Sequence, residues 1–318
     1  MGDLRQEPRF VESGWGSVPN VRCFAHGAMG GTFQLFIQHQ DEEFAWQCAK
    51  AAFDEVDRLE GLLSRYIENS DISRINKLAA GGSVVVDLDT FSCLQLSAEV
   101  YKQTGGAFDV TIGPILDFWR NKGKNALSTE ELDLACRRTG MHLLKLDESL
   151  YTLQVPVANI RVDLGGIGKG YAVDVMAEVL RQWRAEVALL SGGYSSVLAL
   201  GKPPDTKGWP VTLSNPQEPK ETLARVYLDH QALGASGVQK GSHIIDPRTA
   251  RPVKGTLAAW VRCRRAAVAD ALSTAFMVMS PTEIEGYCSQ HPDVSALVIF
   301  KDGDEPRTKA RIQHYGRW

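Results

Sequence analysis

Residues 161–174 read RVDLGGIGKGYAVD, Arg161 to Asp174. An extended apolar stretch here hands over to a helical pattern, and Gly165, Gly166, Gly168, Lys169 and Gly170 fill the handover. Many folds hold a phosphate at such a turn. Glycines let backbone N–H groups approach an anion, and the helix N-terminus adds partial positive charge. Lys169 contributes a point charge. The two common nucleotide loops are nevertheless absent. A Walker A loop needs G-x-x-x-x-G-K-[ST], but Asp163 stands at its first glycine and Gly170 at its Ser/Thr. The glycine spacing does not give G-x-G-x-x-G either, so the dinucleotide fingerprint of doubly wound folds fails. A tight strand-to-helix turn without any ligand fits these residues equally well.

Outward from this loop, strands and helices mix without strict βαβ alternation. That predicts an α+β fold of mixed or antiparallel sheets with packed helices. RCFAHGAMGGTFQLFIQ reads as a strand pair broken at Gly30 and Gly31. From Asp41, Phe44, Cys48, Ala52, Val56, Leu59 and Leu63 recur at helical spacing. A second helix is expected from Asp89 as N-cap to Thr104, with Gly105 as its stop. Ser128 and Glu131 form a capping-box pattern that opens a third. LLKLDESLYTLQV reads as a hairpin, and a helix is expected from Tyr171 to about Arg184. EVALLSGGYSSVLALG gives two strands around Gly192 and Gly193. LAAWVRC is a further strand, AAVADALSTAFMVM an apolar helix and VSALVIF a late strand. The expected organisation is a flexible lead over 1–20, one domain over 21–303 and a polar tail over 304–318.

The 318 residues carry a formal net charge of −3 and 44% hydrophobic residues, enough for a sizeable core. No basic block marks a nucleic-acid binder, so nucleic acid is not an expected partner. Six cysteines are scattered without C-x-x-C or zinc spacing and read as reduced or buried thiols. No run reaches the roughly 18 apolar residues of a membrane helix, and the start lacks the apolar core of a signal peptide. As written, the chain reads as cytoplasmic. An exported protein with a trimmed N-terminus would read the same.

Three further constellations could carry chemistry. In VADALSTAF, Asp270 and Thr274 are four apart and share a helix face. A carboxylate and a hydroxyl suit Mg²⁺. The plainer alternative is that Asp270 caps the helix and Thr274 bonds back to its own turn. In HIIDPRT, His243 could serve as a general base or simply be a packed polar residue at a strand end. TGGAFDVTIGP, Thr104 to Pro114, could shape a pocket for a flat ring, or be a helix C-cap followed by a strand.

Taken in order, AMGGTF, SRYIENSDISRIN, TGGAFDVTIGP, DLGGIGKGYAVD, HIIDPRTARPV and ADALSTAF resemble the FAD:protein FMN transferases, the ApbE-like flavin transferases, over about residues 25–300. The resemblance implies a T-fold-like single domain that binds FAD and Mg²⁺. Such an enzyme transfers FMN to a Thr or Ser hydroxyl of a target protein and releases AMP. It implies that Met29 and Tyr66 contact the flavin nucleotide and that Ala107, Phe108 and Asp109 line the FAD site. Asp163, Lys169 and Ile244 would hold the nucleotide. The Gly166 carbonyl with the Asp270 and Thr274 side chains would hold the metal, Ser273 contributing through its backbone or standing close by. His243 matches the position that activates the acceptor hydroxyl. The implied partner is a redox or electron-transport subunit with a Thr-containing motif, and a homodimer is one option for the assembly.

The sequence departs from the family pattern in three places: VQKGS is a short link between Ser236-Gly237 and His243, Tyr194 follows Gly192-Gly193, and MGG carries an extra glycine. These bear on acceptor recognition more than on FAD or metal binding. Rival readings are an FAD pyrophosphatase, with water as the acceptor, and a non-catalytic FAD-binding protein.

Overall fold

A computed structural model of the chain describes residues 18, 20–121, 128–193, 195–218, 220–238, 244–301 and 310–318. His243, Tyr194, Gln239–Ser242 and nearly all of the 1–20 lead lie outside the described residues.

The chain opens with β1 (Val21–Ala28) and β2 (Gly31–Gln38), paired antiparallel in the register Ala28↔Gly31. Their two-residue turn holds Met29 at φ +49 and Gly30 at φ +67. Positive φ at both positions is what a type I′ hairpin requires. It explains Gly30. At Gly31 neither φ nor packing demands glycine, since a Cβ there would make only an ordinary contact, 3.6 Å from the Gly193 Cα.

Five helices and three short strands follow: α1 (Glu42–Leu63), α2 (Asp71–Asn76), β3 (Ser83–Val85), α3 (Leu88–Gln103), α4 (Gly113–Asn121), α5 (Thr129–Cys136), β4 (Lys145–Asp147) and β5 (Thr152–Gln154). The α5 capping box of Ser128 and Glu131 forms as expected. The cap of α3 does not fall on Asp89. Asp87 is extended and accepts the Asp89 N–H at 2.9 Å, while the Asp89 carboxylate accepts the Tyr171 hydroxyl at 2.8 Å and pairs with Arg58. No strand follows Gly105 and Gly106. Both have positive φ and end α3, and an irregular loop leads into α4.

The glycine loop opens α6 (Gly168–Gln182), three residues earlier than its apolar pattern suggests. Then come β6 (Ala188–Gly192), β7 (Ser196–Leu200), β8 (Trp209–Ser214), β9 (Thr222–Leu228), β10 (Ala232–Gly237), β11 (Ile245–Asp246), β12 (Arg251–Pro252), β13 (Thr256–Cys263), α7 (Ala266–Val278), α8 (Pro281–Gln290), β14 (Ser295–Lys301) and β15 (Ala310–Tyr315). The last strand corrects the expectation of a polar tail through residue 318: Ala310–Tyr315 pairs with β14.

Eight strands form one antiparallel sheet in the order β1-β2-β6-β7-β10-β13-β14-β15. Strand alternation splits its residues between two faces. Phe33, Leu35, Leu190, Leu198, Val261 and Val298 join the main core with α1, α6 and α7. Phe36, Leu189, Leu233, Trp260 and Leu297 face the opposite way and are covered by Trp209, Leu213 and Leu228 of the β8–β9 hairpin. The molecule is thus α+β, with antiparallel sheets. Among the described residues, no helix is long and apolar enough to cross a membrane.

Candidate functional site

The site forms where the glycine loop meets α7. Two glycines make that meeting possible. A Cβ on Gly170 would come within 2.4 Å of the Ala266 carbonyl oxygen, so the start of α6 packs directly on the start of α7. A Cβ on Gly234 of β10 would stand 2.2 Å from the Ala269 carbonyl, which seats α7 on the sheet. The opening of α7 is capped from α6: Asp174 accepts the Ala266 N–H at 2.7 Å and the Ala267 N–H at 3.0 Å. Asp270 is therefore no cap. It lies within α7, 3% exposed.

Asp270 accepts the Gly170 N–H at 3.1 Å. Burial pushes its carboxyl above the usual carboxylate range, opposed by the Lys169 ammonium and that N–H. The Lys169 stem runs past Gly193, whose absent Cβ would lie 3.4 Å from it. One helical turn on, Thr274 donates weakly to the Asp270 carbonyl at 3.5 Å, as the plain helical alternative expects. Its hydroxyl also meets Ser236 at 3.1 Å. Ser236 reaches Ser273 at 2.8 Å, and the Ser273 hydroxyl donates to the Asp270 carbonyl at 2.8 Å. Gly166 faces this group: a Cβ there would stand 3.1 Å from Thr274 Oγ1 and 3.2 Å from the Phe108 ring.

A carboxylate, hydroxyls and a nearby glycine backbone are hard oxygen donors of the kind Mg²⁺ takes. Among the described residues, no three His, Cys, Asp or Glu side chains cluster as a metal site. A metal here would depend on Asp270 with neutral oxygens around it. Behind the site, the buried Ser196 hydroxyl faces the Asp270 carboxyl and also opposes the upward push of burial on it.

Of the other predicted residues, Phe108 meets the Gly166 position, and the rest are held by contacts of their own. Asp163 sits on the loop, where its Oδ1 accepts the Gly165 N–H at 2.9 Å and its Oδ2 pairs with Arg65 at 3.1 Å. Arg65 lies over the Tyr66 ring at 4.8 Å and donates to its hydroxyl at 2.9 Å. The Tyr66 ring is thereby held in place although 81% exposed. Ala107 and Phe108 are buried. Asp109 is also buried and turned into its own loop, accepting the Thr111 N–H at 2.8 Å and hydroxyl at 2.6 Å. Ile244 is buried and its carbonyl accepts the Val253 N–H at 3.0 Å. Met29, Tyr66 and Ile244 lie on separate turns, and none hydrogen-bonds to the Asp270 group among the described residues.

The ApbE family model matches residues 29–298. The chain belongs to the ApbE family. Among curated ApbE-type relatives, the FAD:protein FMN transferase of Escherichia coli K12 is 27% identical over 297 residues, 88% of this chain and 84% of the relative. That of Vibrio cholerae is 28% identical over 278 residues, 80% and 81% of the two chains. The Pseudomonas stutzeri flavinyl transferase ApbE, apo form, superposes with a TM-score of 0.82 at 24% identity, over 93% of this chain and 94% of that one. The flavin transferase ApbE of Vibrio cholerae gives 0.80 at 23%, covering 93% and 97%. At that identity the two structures establish a shared fold.

Within this ApbE-family site, reading residues alone missed Arg65, Ser236 and Asp174. Arg65 is 98 residues from its partner Asp163, and nothing local signals the pair. Ser236 could have been suspected from its Gly237 neighbour, a small-residue strand end with a polar group to spare.

Proposed function

We propose that this protein transfers FMN from FAD to a Thr or Ser hydroxyl of a target protein and releases AMP. The observation that carries the reading is the convergence of Lys169, Gly166 and the buried Asp270 with the Thr274 hydroxyl group. It stands in a chain whose curated relatives are named FAD:protein FMN transferases.

In this reading the exposed Tyr66 ring, backed by Arg65, and Met29 on its strained turn offer surfaces to the flavin nucleotide. Strain of that kind clusters at functional sites. Ala107, Phe108 and Asp109 wall the FAD site, and Asp163 and Ile244 hold the nucleotide. Asp270, Thr274 and the Gly166 carbonyl would hold Mg²⁺, with Ser273 behind them fixing the helix turn. Bound there, Mg²⁺ would supply positive charge against the pyrophosphate and the departing AMP. Lys169 adds a fixed positive charge at the same place.

The acceptor oxygen attacks the FMN phosphorus, the bond from that phosphorus to the bridging oxygen breaks, and AMP leaves with that oxygen. One proton comes off the acceptor hydroxyl, and His243 is assigned to take it. The acceptor is a Thr-containing segment of a redox or electron-transport subunit. The six free thiols fit a reducing, cytoplasmic setting.

Chromatography of AMP and FMN after incubation with FAD and Mg²⁺, with and without a Thr-containing acceptor peptide, tests the reading. AMP should appear in step with modified peptide. AMP and free FMN at the same rate without peptide would make the protein an FAD pyrophosphatase.

A further inference from the structure

We propose that Ser236, at the end of β10, is a positioning residue for Thr274: it accepts the Thr274 proton and so leaves the lone pairs of that hydroxyl to Mg²⁺. The inference rests on the transferase reading above and concerns how its metal site is held.

Three hydroxyls and one carbonyl stand in a row here, and their protons can be counted. A Ser or Thr hydroxyl has one proton to donate and two lone pairs, whereas a carbonyl only accepts. Ser273 Oγ lies 2.8 Å from the Asp270 carbonyl oxygen, so the proton in that contact belongs to Ser273. Ser273 is 0% exposed and has no second proton for its neighbour. The 2.8 Å contact between Ser236 and Ser273 is therefore made by the Ser236 proton. Ser236 then has none left for Thr274, and the 3.1 Å contact between them is made by the Thr274 proton. The row runs from Thr274 through Ser236 and Ser273 to the Asp270 carbonyl. Reversing it would leave two oxygens 2.8 Å apart, Ser273 and that carbonyl, without a proton between them. Hydroxyls aligned in one sense also polarise one another favourably.

The strand–helix register puts Ser236 in this place. Gly234 seats α7 on β10 at Ala269. Two residues further along the strand return to the same face, and four residues along the helix make about one turn. Ser236 thus meets Ser273 and Thr274 where Gly234 meets Ala269. Without Ser236, the acceptor left to Thr274 among the described residues is the Asp270 carbonyl at 3.5 Å. That is longer than an ordinary O–H···O bond, and the carbonyl already takes the Ser273 proton. A neutral hydroxyl that ligates a cation keeps its proton and needs an acceptor for it. Partners of that kind orient metal ligands from behind. Gly166, whose Cβ would stand 3.1 Å from Thr274 Oγ1, lies beside the same oxygen.

The test titrates Mn²⁺ into the full chain with FAD, before any acceptor is added, and reads the free ion by electron paramagnetic resonance. S236A should bind Mn²⁺ about tenfold more weakly than the wild type. With a Thr-containing peptide present, the Mg²⁺ concentration for half-maximal transfer should rise in S236A by a similar factor, while kcat at saturating Mg²⁺ stays within about twofold. A purely structural role would lower kcat at every Mg²⁺ concentration. T274V and S236A/T274V complete the cycle: once the Thr274 hydroxyl is gone, removing Ser236 should cost no further Mn²⁺ affinity. Wild-type Mn²⁺ affinity in S236A overturns the proposal. So does an equal loss when S236A is added to T274V, because Ser236 would then act without Thr274. Should S236A prove unfolded by circular dichroism, S273A takes its place, since it removes the acceptor of the Ser236 proton. It should weaken Mn²⁺ binding, and unchanged affinity there overturns the proposal. A wild type that binds Mn²⁺ more tightly than S236A yet modifies no peptide sinks the transferase reading and supports the role of Ser236. A wild type that binds no Mn²⁺ sinks the metal site and that role together.

Discussion

Gly234→Ala should damage both stability and chemistry, because of where its methyl group would go. Gly234 pairs with Ser196 on β7 and Val261 on β13, and its missing side chain faces α7. A Cβ would stand 2.2 Å from both the carbon and the oxygen of the Ala269 carbonyl and 2.6 Å from the Asp270 nitrogen. All three are backbone atoms, so no side chain can swing aside. The helix must retreat by about 1 Å before those contacts become ordinary van der Waals separations. Gly170 holds α7 from its other flank, so retreat strains the Gly170–Asp270 hydrogen bond as well. Overpacking of this kind costs roughly 1–3 kcal/mol. Displacing the carboxylate by that distance should slow FMN transfer by about 10- to 100-fold. Urea unfolding and adduct formation by mass spectrometry read the two effects separately. Gly286→Ala on α8 is the control: nothing lies within 4 Å of its Cβ position. It should be neutral or stabilising by up to about 1 kcal/mol. Wild-type stability and transfer in G234A would refute the reasoning.

Removing the cap of α7 with Asp174→Ala should cost about 1–2 kcal/mol in urea unfolding, and Asp174→Asn, which keeps an acceptor, distinctly less. Burial holds the Asp109 and Asp174 carboxyls above their usual range, so the folded chain binds their protons more tightly than the unfolded one. Their stabilising contribution is fully present below the ordinary carboxyl value of about 4 and is lost as pH rises through the raised folded values. Stability measured from about pH 5 to 8 should therefore slope downward on their account, and the slope should flatten in D109N/D174N. Tyr66→Ala should leave stability within about 0.5 kcal/mol yet weaken FAD binding about tenfold in a flavin fluorescence titration. Unchanged affinity would remove Tyr66 from the site.

Much of this architecture was legible because its signals are local. The α1 stripe, the Ser128–Glu131 box and the Gly192–Gly193 turn are each set by residues within a few positions of one another. The α+β class followed from the same patterns. β15 escaped because it is an edge strand: Ala310, Arg311, Ile312 and His314 are exposed, and only Tyr315 is buried, so apolar alternation is nearly absent. The β8–β9 hairpin was passed over because its strands carry only a few core residues each, although Trp209, Leu213 and Leu228 close a whole face of the sheet. At the site, the pairing of Asp270 with Thr274 was readable from helical spacing. The contacts of Gly166 with Thr274 and of Gly170 with Ala266 join segments about 100 residues apart. Only the fold reveals why glycine is required there. The pairing of Asp163 with Arg65 likewise depends on how the α1–α2 turn meets the loop.

In the proposed reaction, Asp270 organises FMN transfer to a protein hydroxyl. Its most direct test is the intact mass of a Thr-containing peptide after incubation with FAD, Mg²⁺ and either the wild type or Asp270→Asn. Asn keeps the shape and relieves the burial of a charge, so the variant should fold. The wild type should add one FMN per peptide and release AMP in equal amount, and D270N should add none. Unmodified peptide beside AMP and free FMN, or a D270N protein that transfers at the wild-type rate, would contradict it.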